Sequence, residues 1–263
     1  MIAVTAAHKV PEEIVRLAEE RAAALGLPYM ERQPNLETMG KDGPDAFLVY
    51  GRRGPALLSR GASHTFHTGT AKLRILAMRR GGEDRLCRLL PEGTRTVLDA
   101  TFGEGKDSLV LSWYLGEKGR VTALEKSPAL WEIGRWGIER FEDREPDVTA
   151  ALRRIRLVRA DFREFLKNAP DAGWDVIFFD TMFRRPVKRE ENNREAFRSG
   201  ACYDLLDEDI LREAARAAGK RVIVKERPFS VLFRCGLFTA ADARRGQTVA
   251  YGVIDTEKKE GER

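Results

Sequence analysis

Residues 96–126 read TVLDATFGEGKDSLVLSWYLGEKGRVTALEK. A short apolar run, Thr96-Val97-Leu98, ends in Asp99, and a glycine pair, Gly103-x-Gly105, follows. An amphipathic stretch runs from Asp107 to Gly116, and a second apolar run, Arg120 to Leu124, ends in Glu125. That order predicts a strand, a tight glycine turn, a helix and a second strand: one βαβ unit. Glycine lets the backbone come close to a nucleotide-like ligand, and the helix N-terminus offers N–H groups with no partner inside the helix. Glu125 lies 20 residues past Gly105, where an acidic side chain can grip both ribose hydroxyls of such a ligand.

The pattern repeats downstream. Pro128 to Phe141 reads as a helix with bulky anchors Trp131, Ile133 and Trp136. Ile155 to Ala160 reads as a strand ending at Asp161, and Phe162 to Asn168 as a helix. Trp174 to Phe179 is a strand ending at Asp180, Leu205 to Ala218 a helix, and Arg221 to Val224 a strand running into Lys225-Glu226. Thr248 to Ile254 is a last strand. Strands alternating with helices predict an α/β fold with a mostly parallel sheet covered on both faces.

Upstream, Ile2 to Ala6 is β-leaning and Pro11 to Leu25 is a helix opened by proline. Phe47–Tyr50 and Pro55–Leu58 flank Gly51-Arg52-Arg53-Gly54 as a hairpin. Ala62 to Gly69 is polar and holds His64 and His67; Thr70 to Arg80 is a basic helix, and Glu83 to Leu90 a short one. Pro91-Glu92-Gly93 is a natural boundary. Residues 1–90 therefore read as an N-terminal α/β module, 91–255 as the cofactor domain and 256–263 as a polar tail.

The 263 residues are 43% hydrophobic and 33% charged, which excludes a disordered chain. The net charge of +5 leans towards a polyanionic partner or simply reflects a solvated surface. Three dispersed cysteines indicate no disulfide framework and no zinc site, and His64 and His67 lack metal-type neighbours, so no metal is expected. No run approaches the length of a membrane span, and charge comes too early at the N-terminus for a signal peptide; a cytoplasmic setting is expected.

Asp99, Glu125, Asp161 and Asp180 each close a predicted strand. In an open α/β sheet, ligands bind outside those carboxyl ends. Any one of these acids can instead cap the next helix, Asp161 especially, and Asp107 can do the same within its helix's first turn. A nicotinamide or flavin cofactor calls for G-x-G-x-x-G or alanine at the last place, whereas here the turn is GEGKDS, with Ser108 third. A carboxylate just before the turn, Asp99, suits S-adenosylmethionine (SAM), whose methionine end carries an ammonium. After Asp180 comes Thr-Met-Phe183. Methyl transfer to an exocyclic amine needs an acceptor for the amine hydrogen and an aromatic plate for the base; Asp180 and Phe183 can fill those roles, although Phe183 can equally be core. Arg184, Arg185, Lys188, Arg189, Arg194 and Arg198 follow, able to meet phosphates or to line a solvated loop.

These residues resemble the class I SAM-dependent methyltransferases. Within that class the chain is similar to the RsmJ type of small-subunit ribosomal RNA (guanine-N2) methyltransferases and to a bacterial group related to them. DATFGEGKD (99–107), DTMF (180–183) and RVIVKERP (221–228) carry the likeness. The resemblance implies a Rossmann-like, mostly parallel seven-stranded sheet, SAM as cofactor and an RNA base amine as acceptor. It places Asp99, Thr101, Gly103, Gly105, Lys106 and Asp107 around the methionine end, Glu125 and Lys126 at the ribose, Asp161 and Phe162 at the adenine, and Asp180 between cofactor and acceptor. Two departures stand out: Thr181 where the type has proline, and Glu226 between Lys225 and Arg227. A methyltransferase for a small molecule or protein, a non-catalytic RNA- or partner-binding protein on the same fold, and a nicotinamide-dependent oxidoreductase are the alternatives.

Overall fold

The computed structural model describes residues 1–33, 43–59, 62–181, 206–228, 230–242 and 247–256. Phe183 and the arginine-rich segment 184–198 lie outside them. In chain order the strands are β1 (Ile2–Ala6), β2 (Ala46–Gly51), β3 (Gly54–Ser59), β4 (Ala62–Thr65), β5 (Thr96–Asp99), β6 (Arg120–Glu125), β7 (Ile155–Arg159), β8 (Trp174–Phe179), β9 (Ala218–Glu226), β10 (Ala240–Asp242) and β11 (Ala250–Asp255). The α-helices are α1 (Glu12–Leu25), α2 (Gly69–Arg79), α3 (Lys106–Leu115), α4 (Pro128–Arg140), α5 (Pro146–Arg153), α6 (Phe162–Lys167) and α7 (Glu208–Ala217). The described chain forms two compact units, one from residues 1–67 and 127–141, the other from 68–126, 142–181 and 206 onwards. Residues 68–90, read from sequence with the N-terminal module, thus fold in the second unit.

The first unit holds a four-stranded sheet, β1-β2-β3-β4, with β1 and β2 parallel and the hairpin antiparallel. Strand β4 falls in a stretch whose polar side chains mark no strand. Its backbone pairs with β3, setting Leu57 opposite His64, so the ladder rather than an apolar alternation makes it a strand. The buried face of α4 is not built from its tryptophans. It carries Ala129, Leu130, Ile133, Gly134, Gly137 and Ile138, and one acid, Glu132. Glu132 accepts bonds from Arg21 (2.5 and 3.1 Å), Arg135 (2.8 and 3.0 Å) and the Tyr50 hydroxyl (2.8 Å). That web lets a carboxylate with 1% of its side chain exposed stay ionised, because two guanidinium groups and a hydroxyl replace its water.

The second unit holds a seven-stranded sheet ordered β10-β11-β9-β8-β5-β6-β7. β5 to β9 are mutually parallel; β11 runs antiparallel to β9, and β10 antiparallel to β11. This is the mostly parallel sheet expected. The chain starts in the middle at β5, moves outward to β7, then returns to β8 on the other side of β5. Two crossovers therefore diverge at β5 and β8, which is the switch point where open α/β sheets bind ligands. Alternate residues face opposite cores. Leu98, Leu124, Ile177, Phe179, Val222 and Val224 pack with Phe162 and Leu166 of α6 and Leu211 and Ala214 of α7. Val97, Val121, Val176, Phe178 and Ile223 pack with Leu86 and Leu111 of α3.

One expectation changes. Residues 83–90 do not form an α-helix; only a 3₁₀ turn, Cys87–Leu89, is present. The Asp84 carboxylate takes the Leu86 and Cys87 N–H groups, both at 3.1 Å, and closes the turn locally. The basic helix expected at 70–80 is α2, and its cations pair within the fold. Lys72 pairs with Asp143 at 2.5 Å, Arg79 with Glu145 at 2.7 Å and with Asp147, and Arg74 turns inward. Among the described residues no helix is long and apolar enough to cross a membrane.

Gly137 tests the packing of α4. A Cβ there lies 2.1 Å from the Phe66 ring. Glycine to alanine inside a helix gains about 1 kcal/mol of propensity, while overpacking costs about 1–3 kcal/mol. We expect Gly137→Ala to lower the thermal midpoint by a few degrees in circular dichroism melts; a raised midpoint would show that the ring does not sit there.

Candidate active site

The glycine turn joins the ends of β5 and β6 to the start of α3. Asp99 closes β5 with 1% exposure. Its Oδ1 accepts the Thr101 N–H at 3.1 Å, and its Oδ2 accepts the Ser108 hydroxyl at 2.5 Å. Burial pushes the Asp99 carboxyl up to about 7, against those two bonds. The contact with Asp99 explains the serine in the third place of the turn: it ties the helix to the strand end, where a dinucleotide fold would use bare glycine for close packing. Gly103 and Gly105 are both left-handed, with φ of 55° and 73°. A Cβ on Gly105 would sit 2.5 Å from the Phe102 ring, so this backbone conformation and this packing both require glycine. The Gly103 N–H donates to Glu125 Oε2 at 3.0 Å, holding the end of β6 against the turn.

A line of alternating charges crosses the same end of the sheet. Arg74 of α2 grips Asp84 with two bonds, 2.7 and 2.9 Å, and its remaining nitrogen bonds Asp107 in the first turn of α3. Lys225, near the end of β9, donates to Asp107 Oδ2 at 3.0 Å and to Asp180 Oδ2 at 2.6 Å. Asp180 follows β8, and its own N–H donates to the Thr101 hydroxyl at 2.7 Å. Burial opposes the charge on Asp107, but Lys225 and Arg74 outweigh it and hold that carboxyl well below the usual range. Burial likewise disfavours the Lys225 ammonium, yet Asp107 and Asp180 keep it charged far above the ordinary lysine range. Asp180 sits at the open end of the line: burial raises its carboxyl, Lys225 opposes the rise, and nearby Asp107 adds to it.

The remaining expected residues fall on the neighbouring strand ends. Asp161 caps α6 through the Arg163 N–H at 2.9 Å, and Lys126 meets its other oxygen at 2.9 Å. Phe162 is buried and stands edge-on to Phe179, centroids 5.6 Å apart. Lys106 pairs with Glu104 at 2.5 Å. Asp99, Thr101, Asp180, Lys225 and Asp107 thus belong to one connected set of bonds, Gly103 and Glu125 form a separate tie in the same turn, and Asp161, Lys126 and Phe162 lie on the neighbouring strand end. Thr181 is buried. Sequence reasoning missed Ser108, Arg74, Asp84 and the role of Lys225. Lys225 did carry a signal, because it closes a strand at the same sheet end as the acids. Arg74 and Asp84 carried none, since their value lies in a pairing made across the fold. Among the described residues no group of three or more His, Cys, Asp or Glu is placed to hold a metal ion.

Removing Lys225 tests the charge line. Lys225→Met leaves Asp107 and Asp180 facing each other without their shared cation, a change of the kind that costs about 3–5 kcal/mol. Asp107 keeps Arg74, but Asp180 loses the cation that opposes its upward shift, so the folded state binds an extra proton at acid pH. Stability lost in the variant is therefore smaller at pH 5 than at pH 8. Urea unfolding at the two pH values measures this, and an equal loss at both would contradict it.

Comparison with known proteins bears on this site. A family model described as "Putative SAM-dependent methyltransferase" matches residues 62–237. The chain is 31% identical over 257 residues to the "Uncharacterized protein YpiP" of Bacillus subtilis, covering 96% of this chain and 99% of that one. It is 28% identical over 235 residues to the ribosomal RNA small subunit methyltransferase J of Alkalilimnicola ehrlichii, covering 84% and 86%. Among solved structures, a SAM-dependent methyltransferase of Neisseria gonorrhoeae superposes with a TM-score of 0.64 at 19% identity, over the whole of both chains, a likeness of fold. With the glycine turn, the acids at the strand ends and the extent of these matches together, the chain belongs to the SAM-dependent methyltransferase family.

Proposed function

We propose that this SAM-dependent methyltransferase modifies an exocyclic amine of an RNA base, with ribosomal RNA in the cytoplasm as its target. Asp180 carries this reading: an acceptor carboxylate at the switch point, its backbone pinned by Thr101 and one oxygen held by Lys225. The name of the Alkalilimnicola ehrlichii relative supports ribosomal RNA as the class of target. The basic run 184–198, known from sequence alone, suits a polyanion.

The residues fit SAM chemically. The cofactor offers hydrogens at its ammonium, its ribose hydroxyls and its adenine amine, and the site answers with carboxylates. Asp99, with the turn of Thr101, Gly103, Gly105, Lys106 and Asp107, faces the methionine end; Glu125 and Lys126 take the ribose; Asp161 and Phe162 flank the adenine. Glycine at 105 keeps the backbone clear of the Phe102 ring and the turn in the shape a close-lying ligand needs. When bound, SAM supplies an electrophilic methyl group on its sulfonium. Asp180 takes a hydrogen of the target amine, which turns the nitrogen lone pair outward. Amine methylation releases one proton from that nitrogen, and Asp180 is placed to receive it. Phe183 stacks the base.

Asp180→Ala should leave S-adenosylhomocysteine affinity within a few-fold and cut methyl transfer by about a hundredfold or more. Isothermal titration and tritium transfer from labelled SAM measure the two; wild-type turnover by this variant would remove Asp180 from the reaction.

Asp99 sets a pH dependence. Its carboxyl is raised to about 7, and only its ionised form attracts the ligand's ammonium. Affinity for S-adenosylhomocysteine should climb as pH rises from 5.5 and level off above 7, by up to about tenfold per unit on the rising side. Titration calorimetry across that range, with Asp99→Asn as the flat control, checks it; a wild-type profile as flat as the control would place the ammonium elsewhere.

A further inference from the structure

Lys225 has more donors than the charge line uses. An ammonium carries three N–H bonds. The described contacts account for two, to Asp107 Oδ2 and Asp180 Oδ2. They likewise account for one Asp180 oxygen and leave the other. Both side chains keep an open side, 20% exposed for Lys225 and 30% for Asp180, while that of Asp107 between Lys225 and Arg74 is 10% exposed. Arg74, itself gripped by Asp84, holds Asp107 from behind, so Asp107 and Asp180 give the ammonium two fixed anchors. The pair therefore presents a fixed donor beside a fixed acceptor.

We propose that Lys225 and Asp180 read the edge of the target base together, Asp180 accepting a hydrogen of the amine and Lys225 donating to a ring nitrogen next to it. This rests on the base-amine reading above and adds a selection to it. Neutralising two carboxylates needs only a charge; a third, outward-facing donor beside the acceptor selects the edge presented. Guanine satisfies the pair with its N2 amine and N3, adenine with N6 and N1 or N7, cytosine with N4 and N3. Guanine turned to its pairing edge does not, because N1–H would point a donor at the ammonium. A charged hydrogen bond left unmade in a partly buried site is worth about tenfold or more in recognition. Lys225 thus becomes a specificity-determining residue of the reaction.

The test starts with wild-type enzyme, tritiated SAM and unmodified small-subunit ribosomal RNA transcribed in vitro. Digestion to nucleosides identifies the labelled base. That base is then replaced at the target position by its deaza analogue, which keeps the amine and exchanges the adjacent ring nitrogen for C–H: 3-deazaguanine where the product is N2-methylguanosine, and the matching analogue for adenine or cytosine. Single-turnover rates are measured, and RNA binding is measured separately in S-adenosylhomocysteine. The expected result is a wild-type loss of about tenfold or more with the analogue in rate, binding or both, and no further loss when Lys225→Met meets the same analogue. A merely structural lysine would slow both RNAs alike and leave their ratio unchanged. Wild-type tolerance of the analogue within twofold, or undiminished discrimination by Lys225→Met, overturns the proposal. If the variant does not fold, wild-type tolerance of the analogue still overturns the proposal. Absence of label from RNA, or label on a carbon or a ribose oxygen, overturns the base-amine reading and this pair with it, and is seen before any analogue is made.

Discussion

A buried ammonium shared by two carboxylates governs how this end of the sheet is built. Each ion removed from water costs several kcal/mol unless opposite charge and hydrogen bonds replace the lost solvation. Asp84, Arg74, Asp107, Lys225 and Asp180 solve this by alternating in sign, each inner member touching two of the opposite kind. Since these side chains come from α2, the turn that follows it, α3, β9 and the end of β8, no one of those elements can shift without unpairing a charge. Asp180, at the exposed end, inherits a defined position from groups that are remote in sequence.

Three hydrogen bonds complete that rigidity. Ser108 fastens α3 to Asp99, Gly103 fastens the turn to Glu125, and Thr101 fastens the N–H of Asp180. Acceptors and donors held before the reaction need no reorganisation during it, which is where much catalytic stabilisation originates. The Thr101 bond also bears on Thr181. Proline after Asp180 would stiffen the chain by fixing a dihedral angle; here the hydroxyl of a residue on the neighbouring loop restrains the Asp180 backbone instead. A site rich in carboxylates likewise matches a ligand rich in N–H and O–H groups, and the same chemistry explains why the turn departs from the dinucleotide pattern.

The first unit follows the same rule with a different solution. Glycines let aromatic rings come close to helix α4 and from it: Phe66 at Gly137 of the helix, and Trp136 of the helix over Gly54 of β3. The acid on the buried face of the helix, Glu132, is bound by two arginines and a tyrosine rather than replaced by an apolar side chain. Close packing and ionic pairing therefore sit side by side on one helix, and both rely on partners from β2, β3 and α1.

Much of the fold was legible along the chain because periodicity and glycine are local signals. The alternation of Val97 and Leu98 and the Gly103-x-Gly105 turn predicted the parallel sheet, and the acids read as closing four strands lie at the carboxyl ends of β5 to β8. Local signals failed where pairing decided the outcome. β4 has polar side chains and became a strand through its ladder with β3, and residues 83–90 became a turn because Asp84 captured their N–H groups. Asp161 turned out to cap a helix and meet Lys126, whereas Asp107, readable as a cap, proved to be the centre of an ion-pair line. The sequence by itself determined the βαβ order, the glycine turn and the row of strand-end carboxylates, because each depends on neighbours in the chain. Only the tertiary structure decided which cations those carboxylates meet, because burial makes an unpaired charge costly and its partner can come from any element that the fold brings within reach.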